Sequence, residues 1–147
     1  MASVCEPILR ALPEWFGIEE SNARYIKNID VMPTLVAFVG DKAVGFLTIK
    51  EHNVYTAEIL VMGVLPEMHR KGAGRALVRE AEKILQKGGT EYLQVKTLSS
   101  SDPDEHYAAT RKFYFAMGFR LLEDFGTLWD EEYPCLLMVK YLLGDQI

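Results

Sequence analysis

Apolar residues recur along this chain with two different periods, and each change of period marks an element boundary. Ile8, Leu9 and Leu12 stand at helical spacing ahead of Pro13. Ile18, Ala23, Tyr25, Ile26 and Ile29 then repeat with a period nearer 3.6 than 2. Glu19 and Glu20 fall in the first turn of this second helix, where negative charge suits the dipole, and Pro33 ends it. Thr34 to Val39 and Ala43 to Lys50 are rich in Val, Phe, Leu and Ile, flank Gly40-Asp41-Lys42, and read as a hairpin. His52 and Asn53 make the next turn. Tyr55 to Leu65 is apolar enough for a central strand covered on both faces, and Gly63 inside it marks a bulge or a close backbone approach.

Helical spacing returns after Arg75, with Leu77, Val78, Ala81, Ile84 and Leu85 directed inward, Arg79, Glu82, Lys83 and Gln86 outward, and a stop at Gly88-Gly89. Tyr92 to Leu98 reads as a strand and residues 99–103 as a loop with an N-cap. A helix follows from His106 to Met117, with Ala109, Phe113 and Met117 on one face and Gly118 at its end. Phe119 to Leu128 and Leu136 to Leu142 form a last hairpin, joined by the acidic, aromatic loop 129–134. The alternation of strand and helix through the middle predicts an α/β layer with some parallel pairing. At 147 residues the chain has the size of one domain.

The turn between the central strand and its helix holds Arg70, Lys71 and Arg75 around Gly72 and Gly74. Glycines allow close backbone approach, and the first amides of a helix have no intrahelical acceptor, so an anion is the natural occupant. The phosphate-binding pattern G-x-x-x-x-G-K-S/T fails, because Lys71 precedes Gly72 and no Ser or Thr follows. The dinucleotide pattern G-x-G-x-x-G fails at Leu77, where its third glycine should stand.

The run His69-Arg70-Lys71-Gly72-Ala73-Gly74, after Leu65-Pro66-Glu67 and before a helix, resembles the pyrophosphate loop of the GNAT superfamily of N-acetyltransferases, written Gln/Arg-x-x-Gly-x-Gly/Ala. His69 departs from it by standing in the Gln/Arg slot. A second resemblance lies in Tyr114-Phe115-Ala116-Met117-Gly118-Phe119, which matches the family's Y-x-x-x-G-F at the end of a late helix. The resemblance implies a mixed, mostly antiparallel sheet splayed in the middle and flanked by about four helices, with acetyl-CoA as cofactor. It places the phosphates on residues 69–75, the pantetheine arm on the backbone at Met62, Gly63 and Val64, and further contacts at Tyr107 and Thr110, where the family often carries Asn and Ala. Family members usually open with a strand, for which only Met1 to Val4 are available.

Tyr114 is, by the same resemblance, the acid for the departing thiolate. Its help is modest, since a thiol near pKa 8.5 already leaves tolerably. The nucleophile is the harder problem: a lysine-like amine of pKa ~10.4 is neutral at pH 7 in about one molecule in 2,500, a cost of about 4.6 kcal/mol. A base therefore matters more. Glu58, in Ala57-Glu58-Ile59, occupies a context in which histone-acetylating members carry a glutamate acting through a water. A carboxylate buried unpaired in so apolar a strand would be costly, and a sheet-edge Glu paired with a lysine is the alternative. His52, His69 and His106 are rival bases, with His69 more naturally facing phosphate.

Composition narrows the partners. A net charge of −5 argues against broad nucleic-acid affinity and for a cationic amine acceptor, of a small molecule or a peptide. Trp15 and Phe16, and Trp129, Asp130 and Glu131, fall in segments 6–30 and 125–135 that wall the acceptor pocket in this superfamily; aromatics with carboxylates suit a cation. No apolar run is long enough to span a bilayer, and the first residues lack a signal-peptide layout, so a cytoplasmic location is expected. Cys5 and Cys135 fit reduced, buried thiols, and the histidines and cysteines show no zinc spacing, so no metal is expected. The apolar last hairpin could pair with a second copy. These expectations describe an amine acetyltransferase, the alternative being a module that binds acyl-CoA without catalysis.

Overall fold

The computed structural model describes residues 1–98, 105–130 and 133–143, with side chains left undescribed at 98, 126–130 and 133–134. Its elements are α1 (Ala2–Arg10), α2 (Glu19–Val31), β1 (Thr34–Val39), β2 (Lys42–Glu51), β3 (Thr56–Val64), a 3-10 turn (Pro66–Met68), α3 (Ala73–Lys87), β4 (Tyr92–Leu98), α4 (Glu105–Ala116), β5 (Arg120–Asp130) and β6 (Tyr133–Tyr141). The strands form an open mixed sheet in the order β1-β2-β3-β4-β6-β5. The chain divides into two compact units, Met1–Lys50 with Ile59–Leu85 and Glu51–Glu58 with Gln86–Ile147, so that β3 begins in the second and continues in the first.

In the first unit β1 and β2 pair antiparallel through Thr34↔Thr48 to Val39↔Lys42. Cys5, Ile8, Leu9 and Leu12 bury against Ile29, Val44, Phe46 and Val61. No opening strand forms, because residues 2–10 are helical. The helix persists although Pro7 sits inside it, and its N-terminus is capped from a distance: Asp30 of α2 accepts a 2.8 Å hydrogen bond from the Ala2 amide. That bond, the largest cause, holds the Asp30 carboxyl below its ordinary range. Gly63 marks close packing, since an added Cβ would lie 3.0 Å from the Phe46 ring and 3.1 Å from Leu12. Gly63→Ala should therefore cost about 1–3 kcal/mol of stability, measured by urea unfolding.

Helix α3 is rotated from the sequence reading. Leu77, Val78, Ala81, Glu82 and Leu85 are buried, whereas Ile84 is exposed. At roughly 100° per residue, a face centred on Val78, Ala81 and Leu85 brings Glu82 to its edge and turns Ile84 away. Glu82 accepts a 3.2 Å hydrogen bond from Arg79 one turn earlier, which offsets part of its burial.

In the second unit β6 pairs antiparallel with both β4 and β5, from Tyr92↔Tyr141 to Leu98↔Cys135 and from Arg120↔Val139 to Asp130↔Tyr133. The last hairpin therefore turns more tightly than expected: Trp129, Asp130, Tyr133 and Pro134 belong to strands, and residues 131–132 lie outside the description. The register shifts between Phe125 and Asp130, and such an irregularity accommodates a proline that cannot donate to a ladder. On α4, Tyr114 is the buried residue and Ala109 faces solvent. The helix ends where Gly118 takes φ +98°, with Phe119 N–H donating to the Tyr114 carbonyl at 3.0 Å and Gly118 N–H to that of Phe115 at 3.1 Å. This termination motif stacks C″ on C3, and the Tyr114 and Phe119 rings meet edge-on at 5.4 Å.

Candidate active site

The residues singled out by sequence fall into two groups, one in each unit. In the first unit β3 ends at Val64, and the Leu65 amide still donates to the Val44 carbonyl on β2 at 2.8 Å. The chain then makes its 3-10 turn and reverses through two left-handed residues, Arg70 at φ 64° and Gly72 at φ 91°. Glycine adopts that region freely. For Arg70 it costs on the order of 1 kcal/mol, a strain of the kind found where a loop is shaped for a ligand.

Helix α3 begins at Ala73, and the Ala76 amide makes the first bond back to the Gly72 carbonyl, at 3.0 Å. The amides of Ala73, Gly74 and Arg75 precede that bond and fall among the helix's unpaired N-terminal donors. The first turn of α3 contains no acidic residue, and Arg70, Lys71 and Arg75 are exposed around it. Amides, helix dipole and three cations thus converge on one sign of ligand.

His69 bonds back to the strand before it. Its Nε2 lies 2.7 Å from the Val64 carbonyl, and because a carbonyl only accepts, this nitrogen carries the proton. The ring also receives the edge of Trp15, with centroids 5.6 Å apart. His69 therefore fastens the loop to the end of β3. Met62 and Val64 are half-buried and Gly63 is buried. Trp15 and Phe16 are half-buried against the core of this unit, and Phe16 meets Tyr25 at 6.0 Å.

The second unit collects polar groups around Glu58, whose side chain is only 4% exposed. His52 Nε2 lies 2.6 Å from Glu58 Oε1, Gln94 Nε2 donates to the same oxygen at 3.1 Å, and Lys96 Nζ reaches it at 3.5 Å. Burying a carboxylate costs several kcal/mol unless it is paired and hydrogen-bonded, and these three groups meet that requirement. Sequence reading had named Glu58 and His52 separately and overlooked Gln94 and Lys96. Their signal is the alternation of β4, which places them on one face while Leu93, Val95 and Thr97 are buried on the other. The lysine of the structural alternative is present, but Glu58 itself lies on interior strand β3 rather than at a sheet edge.

Cys135 on β6 is buried close enough to feel this cluster, and burial pushes its thiol up to about 11. Tyr114 is buried between Phe113 and Phe119, and burial raises its phenol above the ordinary value. Tyr107, Thr110 and His106 are half-buried on α4, with the Thr110 hydroxyl donating to the His106 carbonyl at 3.1 Å. Side chains of Trp129 and Asp130, and all of Glu131, lie outside the described residues. Among those described, no three His, Cys, Asp or Glu side chains gather to hold a metal ion, and no helix is long and apolar enough to cross a membrane.

Residues 5–119 match the model of the acetyltransferase (GNAT) family. The chain belongs to that family. The matched segment of this GNAT chain runs from α1 through the Tyr114–Phe119 motif and so contains both groups of residues. An uncharacterized N-acetyltransferase of Chlorobaculum tepidum is 31% identical over 102 residues, covering 68% of this chain and 59% of that protein. The match thus spans under two thirds of the relative's length. Among solved structures, a GNAT-family protein from Desulfovibrio desulfuricans superposes with a TM-score of 0.84 at 17% identity, covering 96% of this chain and 92% of its own. An aminoglycoside 6'-N-acetyltransferase complexed with coenzyme A gives 0.75 at 19% identity, covering 96% and 90%. At such identities the likeness establishes the fold.

Proposed function

We propose that this protein transfers an acetyl group from acetyl-CoA directly to a primary amine, without an acyl-enzyme. The observation that carries the reading is the turn into α3, where left-handed Arg70 and Gly72 and the first amides of the helix are ringed by cations. These groups fit a pyrophosphate: Gly72, Ala73, Gly74 and Arg75 would hold it by their amides, and Arg70, Lys71 and Arg75 by charge. A Cβ at Gly72 would meet nothing within 4 Å, so the approach to this backbone is open. The coenzyme A in the aminoglycoside acetyltransferase of the same fold supports that assignment.

When bound, acetyl-CoA supplies an activated acetyl thioester and a thiolate leaving group. The chain's own task is to orient it, to strip a proton from the amine and to protonate the sulfur. Main-chain groups at Met62, Gly63 and Val64 are the proposed track for the pantetheine arm, and Tyr107 and Thr110 are proposed as further cofactor contacts. Fixed amides on such a track also polarise a carbonyl as negative charge develops. Tyr114 holds the proton for the sulfur. Glu58 supplies negative charge on the side of the amine, and with a net charge of −5 it favours a cationic acceptor. Trp15, Phe16, Trp129, Asp130 and Glu131 are proposed to shape the acceptor side.

A panel of polyamines, aminoglycosides and short peptides, with thiol release from acetyl-CoA as readout, tests this. Amine-dependent release at least tenfold above the amine-free rate is the expected result. Coenzyme A binding without release from any amine would instead make the protein a binding module.

A further inference from the structure

Two charged or titratable groups around Glu58 meet solvent, His52 with a side chain 28% exposed and Lys96 with one 31% exposed, against 4% for the carboxylate. Of the two only the imidazole has a lone pair with which to accept a proton, an ammonium having none. From this we infer that His52, rather than Glu58 or a water beside it, takes the proton from the acceptor amine, with Glu58 acting through it as a positioning residue. The inference rests on the acetyltransferase reading above.

The hydrogen bonds determine the tautomer. An unprotonated Nε2 2.6 Å from a carboxylate oxygen would set lone pair against lone pair, so Nε2 carries the proton and donates it to Glu58 Oε1. Gln94 Nε2 lies 3.4 Å from the same ring nitrogen while donating to the same carboxylate oxygen, so the two donors sit side by side at Oε1. The basic atom of the ring is then Nδ1. The backbone holds the ring in place as well: the His52 amide donates to the Thr56 carbonyl at 2.9 Å, and the Asn53 side chain accepts from the Tyr55 and Thr56 amides, closing the turn that carries the imidazole.

Glu58 is poorly placed to do this work itself. Three groups already crowd Oε1, and the carboxylate's side chain is 4% exposed where the imidazole's is 28%. A histidine held through one nitrogen by a carboxylate has its other nitrogen aimed, the usual arrangement for a general base. In the reaction Nδ1 takes one proton from the substrate ammonium. The freed nitrogen lone pair forms the C–N bond at the thioester carbonyl, the C–S electrons leave on sulfur, and the second proton the nitrogen sheds in becoming an amide balances the one the sulfur gains. His52 returns its proton to solvent through its exposed edge. The charged groups facing the ring are Glu58 on β3 and Lys96 on β4, with Cys135 behind them on β6 staying a neutral thiol below about pH 10.

The test uses the full-length protein and the best amine from the panel. His52→Ala should lower kcat/KM for the amine about 100-fold at pH 7. KM for acetyl-CoA should stay unchanged, and the thermal midpoint should fall by no more than a few degrees because Gln94 and Lys96 still hold Glu58. The kcat/KM profile should change shape, rising with pH as the amine itself deprotonates. Added imidazole should restore part of the rate, which a purely structural role would not allow. A His52→Ala enzyme within twofold of wild type, or one whose loss is indifferent to imidazole and leaves the pH profile's shape intact, overturns the inference alone. A protein that acetylates no amine on the panel overturns the reading beneath it. Nitrogen NMR of the free protein gives an independent arm, in which His52 protonated on Nδ1 in its neutral form would also overturn the inference.

Discussion

Arg75→Glu should weaken coenzyme A binding by one to two orders of magnitude while making the free protein more stable, by about 0.3–1 kcal/mol. The two effects have opposite signs because the same position serves two masters. Arg75 is exposed in the first turn of α3, a turn with no acidic residue, where a cation opposes the helix dipole and an anion would complement it. Folding alone favours glutamate there; a pyrophosphate on the helix N-terminus favours arginine. Reversing the charge removes one attraction and adds one repulsion, and charge-assisted phosphate contacts are worth about 1.5–3 kcal/mol each. Calorimetric titration with coenzyme A and a thermal melt of the same sample read both quantities. A variant that is more stable and binds as wild type would place the phosphates elsewhere.

Glu58→Gln should depress the rate about 100-fold at pH 7 and distinctly less at pH 9. The amide keeps an acceptor for the His52 ring but removes the charge that balances an imidazolium, so loss of the proton from the amine becomes the costly step. Raising the pH by two units increases the neutral fraction of an amine with pKa ~10.4 nearly 100-fold, and the solvent then does what the enzyme no longer can. Equal losses at both pH values would remove Glu58 from proton transfer altogether. Tyr114→Phe, in contrast, should cost only a few-fold at either pH. Burial raises the Tyr114 phenol above its ordinary value, making it a weaker acid still, and a thiolate is a tolerable leaving group without help.

Much of the scaffold was legible because its signals are local. The β1–β2 hairpin announces itself by turn residues between two apolar runs, and α4 ends where Gly118 must take a positive φ. The glycine turn was legible in the same way. What escaped depends on groups far apart in sequence. Nothing near Ala2 shows that Asp30 will cap α1, so whether the first residues form an opening strand was open from the sequence, and the structure answers it with a helix. Which side of α3 faces inward was misjudged by a single pair, Ile84 and Glu82, since an apolar side chain on the flank of a helix does not by itself fix the rotation. Around Glu58, the sequence supplied the acid and the histidine as separate candidates. Only the pairing of strands brings His52, Gln94 and Lys96 to one oxygen.

The central claim is that main-chain nitrogens at the start of α3 grip a pyrophosphate. Amide NMR titrations of the protein with coenzyme A and, in parallel, with pantetheine, which has the arm but no phosphates, test it most directly. Large shifts at Gly72, Ala73, Gly74 and Arg75 with coenzyme A and none there with pantetheine are the predicted result. Saturating coenzyme A that leaves these four resonances in place while others move would contradict it.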